Sequence, residues 1–544
     1  MKNIKYLSLF LGLTAFIGCS EPEDVLKDTN LEPEAELPKL TAGSADFSTY
    51  VALGASYTAG YTDGALFKAA QENSFPNILA QQFSNVGGGA FTQPLMNDNI
   101  GGLLFGGQPS LDAQGNNRFA PRFYFDGKGP VRLSAASTTD IFVNNPTGPF
   151  NNMGVPGAKS FHLLFNGYGN PANLATATAN PYFVRMASSP TSTVLGDAMA
   201  QNPSFFTLSE IAGNDVLGYA LAGGDATIDQ ITPQAMFEGA FGALVSTLTS
   251  GGAQGAVGNI PYITSLPHFT TVPYAPLSPA NPSFGPQIPT LNTIFGALNQ
   301  VFSAYGETNR LIVFSETAAS AVVIKDENLA DFSTQITNAL APNPDFAALL
   351  GQFGLPPSAA PSVAYLLGQI YGKARQATVN DLLVLSSSSV IGTVNTTTYA
   401  YLLSLNLPAN LAEQFSVEGV TNPLADKWVL LPSEQAEIKT ATDAFNVTIK
   451  AVTNSAGLAF VDTNIILQQL SSSGYASDNF VLTSSLVTGG AFSLDGVHTT
   501  SRGYALIANE FLKAIDATYG SNFEASGNLI DIGDYPTNYS PALR

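Results

Sequence analysis

Short apolar segments alternate along the chain with longer segments in which apolar residues recur every three or four positions. One longer segment places Ile438, Phe445 and Ile449 on one face, and a second, near the C-terminus, has Thr500 or Ser501 available as its N-cap. Such spacing predicts amphipathic helices. The short apolar segments are expected to be strands, at Tyr50 to Leu53 and in SFFTLSEIAGND from Ser204, GAVGNIPYIT from Gly255, NDLLVLSS from Asn380 and GLAFVDTN from Gly457. The alternation favours an α/β fold whose parallel sheet is covered on both faces.

Two regions interrupt this alternation and are interpreted as large insertions. The first, about 84–151, is rich in Gly, Asn and Phe, and the second, about 273–422, combines Pro-rich loops with apolar helical stretches. The simpler interpretation is that both insertions pack on the core. The alternative is that they form a lid or an apolar wall over an active site.

Composition narrows the class of protein. The 544 residues carry a formal net charge of −20, with 45% hydrophobic and only 11% charged residues. A large core is therefore easily supplied, whereas disorder would need fewer apolar residues. The acidic balance argues against nucleic acid as a partner, because phosphates would be repelled. The single cysteine excludes an intrachain disulfide framework.

The N-terminus has the features of an export signal. Lys2 and Lys5 precede an apolar run that is too short to span a bilayer as a helix, and the run ends in FIGC at Cys19. This resembles a bacterial lipobox, which implies a signal peptide over 1–18 and a lipid on Cys19; the alternative is an ordinary signal peptide with an incidental cysteine. The acidic segment 19–45 is expected to be a flexible tether.

The acidic residues directly after the cysteine resemble surface-export signals of some Bacteroidetes lipoproteins. The resemblance implies a lipoprotein of the cell envelope, anchored to the outer membrane by its N-terminal lipid and exposed at the surface if the export signal is genuine. The sequence leaves open which leaflet holds the anchor, and it is silent on oligomeric state.

Four motifs in a fixed order carry the candidate chemistry. GASYTAG places Ser56 after the first strand, NNMGVPGAKS surrounds Gly157, AGND places Asn214 after another strand, and DGVHTTSRGY places Asp495 and His498 near the C-terminus. A lone Asp-x-x-His or Gly-Asn-Asp is weak evidence, but the four together in this order are specific. The Gly-x-Ser-x-Thr context and the position of the serine on the first strand disfavour an α/β-hydrolase.

This order of motifs resembles the SGNH, or GDSL-type, esterase and lipase family, from about Tyr50 to Tyr519 without the two insertions. The resemblance implies a flavodoxin-like three-layer α/β/α fold around a parallel sheet. It implies that Ser56 is the nucleophile, that His498 is its general base and that Asp495 orients the imidazole. The oxyanion would be bound by the backbone N–H groups of Ser56 and Gly157 and by the Asn214 amide.

One position departs from the family pattern. The residue before the serine is usually Asp and is Ala55 here, which removes a group thought to orient the local turn but none of the reacting groups. Asp215 is expected to be a structural hydrogen-bonding group. His162 and His268 are expected to be packed or surface imidazoles, with a substrate contact as the alternative for His268.

The resulting hypothesis is a serine hydrolase that cleaves carboxylic esters through an acyl-Ser56 intermediate. The 35 Phe and 20 Tyr favour lipidic over small acetyl esters, and deacetylation of polysaccharide is the alternative within the enzyme class. No cofactor is implied, and no cluster has the spacing of a metal site. The alternative outside the enzyme class is a catalytically weak or inactive surface lipoprotein that binds glycan or lipid, and a weaker one is a partner lipoprotein of an outer-membrane uptake system.

Overall fold

A computed structural model describes residues 36–544 and is built around one parallel sheet of five strands. The sheet strands are β1 (Tyr50–Gly54), β6 (Asn152–Gly154), β7 (Phe205–Ser209), β8 (Gln254–Gly258) and β13 (Ala459–Val461). Their order across the sheet is β13-β8-β7-β1-β6, with Tyr50 paired to Phe205 and Ala52 paired to Asn152. Numbered along the chain, this is 2-1-3-4-5, the order of doubly wound sheets such as flavodoxin.

Every residue of β1 and β7 is buried. Because successive side chains of a strand point to opposite faces, helices or loops must cover both faces of the sheet. The expected parallel sheet with two covered faces is therefore confirmed. The helices that flank the sheet are α1 (Ser56–Ala59), α2 (Lys68–Glu72), α3 (Phe75–Ser84), α4 (Pro181–Val184), α5 (Val194–Met199), α6 (Gly213–Leu221), α7 (Gln234–Thr249), α8 (Pro267–Thr270), α15 (Pro432–Ser455), α16 (Thr463–Ser471) and α17 (Ser501–Tyr519).

The flanking helices pack in two groups. Helix α17 lies against α3 and against β8 and β13, while α15 lies against α6 and α7. Both helices expected from the sequence are present, and Ile438, Phe445 and Ile449 face the core as predicted. Thr500 is the N-cap of α17, where its side chain accepts the N–H of Gly503.

The first insertion contains two small hairpins and long irregular segments. The hairpins pair β2 (Leu104–Phe105) with β3 (Gln108–Pro109) and β4 (Phe123–Phe125) with β5 (Pro130–Arg132). Between them, the buried guanidinium of Arg122 donates to the carbonyls of Asn99, Tyr539 and Ser540. The insertion is thereby attached to the C-terminal segment of the chain.

The second insertion has a hydrophobic core of its own, formed by residues between Val272 and Leu431. The segment from Asn380, expected as a strand of the main sheet, forms only a two-residue strand in a separate antiparallel pair, so that expectation was wrong. Its apolar residues are divided between the two cores: Leu383 belongs to the insertion's core, and Val384 belongs to the core of the main sheet. The elements here are β9 (Val323–Lys325), β10 (Ala374–Gln376), β11 (Leu382–Leu383), β12 (Val429–Leu430), α9 (Ile288–Ala304), α10 (Ser333–Leu340), α11 (Pro344–Gln352), α12 (Ala360–Tyr371), α13 (Thr396–Ser404) and α14 (Ala409–Gln414). A last hairpin, β14 (Tyr475–Ser477) with β15 (Phe480–Leu482), follows α16.

The segment that leads into β1 is attached to the body from Lys39 onward. The carbonyl of Lys39 accepts from Asn522 Nδ2 at 3.0 Å, the N–H of Thr41 donates to Asn522 Oδ1 at 2.7 Å, and the N–H of Ser44 donates to the Tyr519 carbonyl at 2.8 Å. The expectation of a flexible tether extending to residue 45 was therefore wrong for 39–45. The signal peptide, Cys19 and the first part of the tether lie outside the described residues. Within residues 36–544, no helix has the length and apolar character needed to cross a membrane.

Removal of the Thr500 hydroxyl should destabilise the fold. Thr500 Oγ1 accepts the Gly503 N–H at 3.0 Å and donates to the Gly490 carbonyl at 2.7 Å, so T500A loses a helix cap and a buried hydrogen bond. We expect T500A to lower the free energy of unfolding by about 1–2 kcal/mol, and T500S, which keeps the hydroxyl, to stay close to the wild-type protein. Denaturant unfolding measures both; equal losses in the two variants would contradict the capping role.

Candidate active site

Ser56 is the first residue of α1 and follows directly on the buried strand β1. The Ser56 side chain is 8% exposed. Strand β7, which pairs with β1, ends at the same edge of the sheet as β1. In a sheet of this order, β1 and β7 are the strands between which the order reverses, and ligands bind outside their carboxyl ends. Ser56 therefore stands where the topology itself opens a crevice.

Glu210, the residue after β7, contacts the turn that carries Ser56. Its Oε1 accepts the N–H of Ala55 at 2.9 Å and of Thr58 at 3.0 Å. The other oxygen, Oε2, is buried without a hydrogen-bond partner, and burial raises the pKa of Glu210 to about 8. The backbone is left-handed at Glu210, with φ 49°, and Ala212 has φ 147°. Conformations of this kind are costly for residues other than glycine and cluster at functional sites.

Asp495 and His498 form a hydrogen-bonded pair in the loop before α17. Asp495 Oδ2 lies 2.9 Å from His498 Nδ1, and Oδ1 accepts the N–H groups of Val497 and His498. Burial opposes the charge of Asp495, but the His498 ring and these hydrogen bonds outweigh it and lower the pKa of the carboxyl. A carboxylate on Nδ1 holds the ring with Nε2 free to take a proton.

A series of hydrogen bonds connects the Asp495 loop to the segment after Ser56, and we call this set of bonds the joint. Tyr57 Oη donates to the Val497 carbonyl at 2.6 Å, and the Gly64 N–H donates to Asp495 Oδ2 at 2.9 Å. Two more hydrogen bonds reinforce the joint: Thr62 Oγ1 donates to the Thr499 carbonyl, and the Leu494 N–H donates to Asp63 Oδ1. The joint brings Ser56 and His498 to one cleft although 441 positions of sequence separate them. Ser56 Oγ makes no hydrogen bond to the ring among the described residues, and such contacts are often long without substrate.

His268 supports the Asp495 loop from the opposite side. Its N–H donates to the Gly496 carbonyl at 2.9 Å, and its Nδ1 lies 3.4 Å from the Asp495 carbonyl. Burial lowers the pKa of His268. The packed imidazole expected from the sequence is thus confirmed. His268 is not among the residues that line the cleft beside Ser56, and its contact with a substrate stays a prediction.

Gly157 and Asn214 are brought together by the loop after β6. Gly157 has φ 80° and follows Pro156 in a turn closed by the Ala158 N–H and the Val155 carbonyl at 3.0 Å. Asn214, in the first turn of α6, donates from Nδ2 to the Ala158 carbonyl at 2.9 Å. Among the described hydrogen bonds, none uses the N–H of Ser56 or Gly157. Ser56 and Asn214 line one cleft with His498, whereas Gly157 is not among the residues that line it.

A mostly apolar cleft extends from Ser56 and His498. Its cavity volume is about 100 Å³, and its polar lining also includes Glu210 and Asn214. Its apolar walls come from α6, α16, α17 and the loop after β8, including Leu217, Ile260, Leu266, Ile466, Leu467, Leu470, Leu506, Ile507 and Phe511. Neither insertion contributes a residue to these walls. The idea that the insertions form the apolar wall of the site was therefore wrong, and the core of the α/β fold builds it.

Two polar residues near the motifs have structural roles. Asp215 is buried and accepts the N–H and the hydroxyl of Ser160, as expected. His162 Nδ1 accepts the Lys159 N–H, and its ring stacks on Tyr168 with centroids 4.7 Å apart. The expected packed imidazole is confirmed for His162, and burial lowers its pKa to about 4.

An acidic cluster lies apart from the cleft. Oxygens of Glu327, Asp426 and Glu434 lie within 4.8 Å of one another. Burial and the neighbouring carboxylates raise the pKa of both Asp426 and Glu434. Carboxyl groups this close together with raised pKa values can share protons.

In comparisons with known proteins, no family model, no curated protein and no solved structure matches the chain. The site therefore has to be judged by its own geometry.

The buried neutral His162 predicts a loss of stability in acid. Its pKa is about 4 in the folded chain, against 6.5 ordinarily, so the unfolded chain binds the proton first as the pH falls. The contribution of His162 is intact above pH 6.5 and is lost progressively between 6.5 and 4. We expect H162N to reduce the difference in unfolding free energy between pH 7 and pH 4.5 by about 2 kcal/mol. Denaturant titrations at both pH values measure this; an unchanged difference would show that His162 titrates normally.

Proposed function

We propose that the chain is a serine hydrolase of carboxylic esters with an SGNH-type active site. The observation that carries the proposal is the hydrogen bond between Asp495 and Nδ1 of His498, together with the position of His498, which lines one apolar cleft with Ser56. The strand order and the position of Ser56 at the reversal of that order support it, because active sites of doubly wound sheets form there. The flavodoxin-like SGNH fold implied by the sequence motifs is part of the same proposal.

In the proposed reaction, His498 Nε2 takes the Ser56 proton as Oγ attacks the ester carbonyl carbon. The C–O bond to the leaving alcohol breaks, and His498 returns the proton to that alcohol. A water molecule activated by His498 then releases the acid from acyl-Ser56. Asp495 stabilises the imidazolium at each stage, and its lowered pKa keeps it ionised at neutral pH.

The tetrahedral oxyanion is bound by three donors in this proposal. They are the N–H groups of Ser56 and Gly157 and the Asn214 amide. Both N–H groups are unused within the described protein, and the hydrogen bond from Asn214 Nδ2 to Ala158 links the amide to the Gly157 turn. Preorganised donors of this kind stabilise developing charge without reorganisation, and each contributes about 3 kcal/mol.

The cleft favours an ester with a long acyl chain over an acetyl ester. Its walls are lined by Leu, Ile and Phe from three helices, and burial of each methylene contributes about 0.8 kcal/mol. An acetyl group would leave most of this surface uncovered. We therefore propose a lipidic or acylated extracellular substrate, and we also propose that a lipid on Cys19 anchors the enzyme to the outer membrane.

Replacement of Ser56 tests the reaction. With the chain from Ser20 onward, we expect p-nitrophenyl esters to be turned over, and S56A to lower kcat by a factor on the order of 10³ or more. A fluorophosphonate should label the wild-type protein and not S56A. S246A, which alters an exposed serine of α7, is the matched control. An absence of both turnover and labelling would favour the alternative, a surface lipoprotein that binds glycan or lipid without catalysis.

Narrowing the cleft should change the preferred chain length. Leu217 of α6 lines the cleft, whereas Leu221, one turn later on the same helix, is exposed and does not. We expect L217W to lower kcat/KM for a dodecanoyl ester at least about tenfold, because several methylene contacts are lost, and to leave the acetyl ester within about threefold. L221W should change neither. Equal losses on both esters would show that the acyl chain does not occupy this cleft.

A further inference from the structure

The turn that presents Ser56 has no cap of its own. Ala55 is the N-cap residue of α1, and alanine has no side-chain acceptor for the N–H groups that open the turn. Asp, Asn, Ser and Thr are preferred at this position because their side chains accept the N–H of the second or third residue. Ala55 is also 2% exposed, so water has little access to these groups.

Glu210, the residue after the neighbouring strand β7, supplies the missing acceptor. Its Oε1 accepts the N–H of Thr58, the third residue of α1, which is the bond that an N-cap side chain would make. The same oxygen accepts the N–H of Ala55 itself at 2.9 Å. One atom thus holds both ends of the turn around Ser56, and it is anchored at the end of β7.

Two residues of the segment that contains Glu210 have uncommon backbone conformations. Glu210 and Ala212 both have positive φ values, within three residues of the end of β7. Glu210 Oε2 is also buried without a hydrogen-bond partner, which is unfavourable because this oxygen has lost its hydrogen bonds to water. An apolar residue at position 210 would remove the unpartnered oxygen, but it would also remove the acceptor of the Ala55 and Thr58 N–H groups. The uncommon backbone conformations and the unpartnered oxygen accompany the two hydrogen bonds that Oε1 accepts from the Ser56 turn.

We propose that Glu210 is a positioning residue for Ser56, acting as the N-cap of the nucleophile turn in place of the side chain that Ala55 lacks. This inference rests on the proposed function for its effect on catalysis. Glu210 does not react in it. It fixes the direction of Ser56 Oγ and keeps the Ser56 N–H, which lies between the two bonded amides, turned away and free for the oxyanion.

A double-mutant cycle between positions 55 and 210 tests the proposal. E210A should lower kcat at least about tenfold with KM within about threefold, because the turn loses its cap while the cleft remains. E210Q keeps an oxygen at the Oε1 position, and we expect it to restore most of the activity. A55D should lower kcat in the wild-type background, because two carboxyl groups then compete for the same amides.

The double variant A55D/E210A distinguishes positioning from general stability. We expect it to regain kcat to within about threefold of the wild-type protein, because Asp at the N-cap accepts the Thr58 N–H once Glu210 is removed. A change that is harmful alone and beneficial in the pair would not arise from two independent losses of stability. A double variant as inactive as E210A, or an E210A with normal kcat, would overturn the proposal.

Amide hydrogen exchange separates this proposal from the proposed function. Exchange at Ala55 and Thr58, followed by mass spectrometry at residue resolution, does not require any substrate. We expect faster exchange at both amides in E210A and recovery at Thr58 in A55D/E210A. Unchanged exchange in E210A would overturn the capping role whatever the activity. If the two amides exchange faster in E210A but the wild-type protein has no esterase activity, only the proposed function is contradicted.

Discussion

The hydrogen-bonded joint between the segment after Ser56 and the loop before α17 is the constraint on which the candidate site depends. Tyr57, Thr62 and Gly64 donate to Val497, Thr499 and Asp495. These bonds close a chain loop of more than 400 residues, whose entropic cost grows only slowly with length. The two large insertions can therefore be accommodated without disturbing the geometry between the serine and the histidine.

The sheet explains why the other site residues arrive at the same place. Ser56, Gly157 and Asn214 follow three adjacent strands of a parallel sheet, whose carboxyl ends share one edge. Helices α16 and α17, packed near the same edge, complete the cleft with apolar side chains. Ligand sites in proteins typically combine a few polar groups with mostly apolar walls, and here the reacting groups lie at strand ends and in loops while helices supply most of the apolar walls.

Prediction from the sequence succeeded for residues with strong local signals. The strands around Tyr50, Phe205, Val257 and Phe460 and the helix cap at Thr500 have the expected positions, because buried parallel strands and helix N-termini have distinct residue preferences. The strand of the main sheet expected from Asn380 was wrong, because a short apolar run can also pack into a core outside that sheet. Glu210 was missed altogether, because its partners Ala55 and Thr58 lie about 150 positions away and nothing in its neighbourhood marks a cap.

The sequence by itself therefore determined the class of fold, the candidate reacting groups and the order in which they occur, because hydrophobic period and short motifs are local properties of a chain. Only the tertiary structure decided which groups meet. It placed the apolar walls on the core helices and not on the insertions, it attached residues 39–45 to the body, and it set the carboxyl of the residue after β7 beside the alanine that precedes Ser56. Each of these depends on contacts between residues far apart in sequence, whose pairing is fixed by packing and hydrogen bonding in three dimensions.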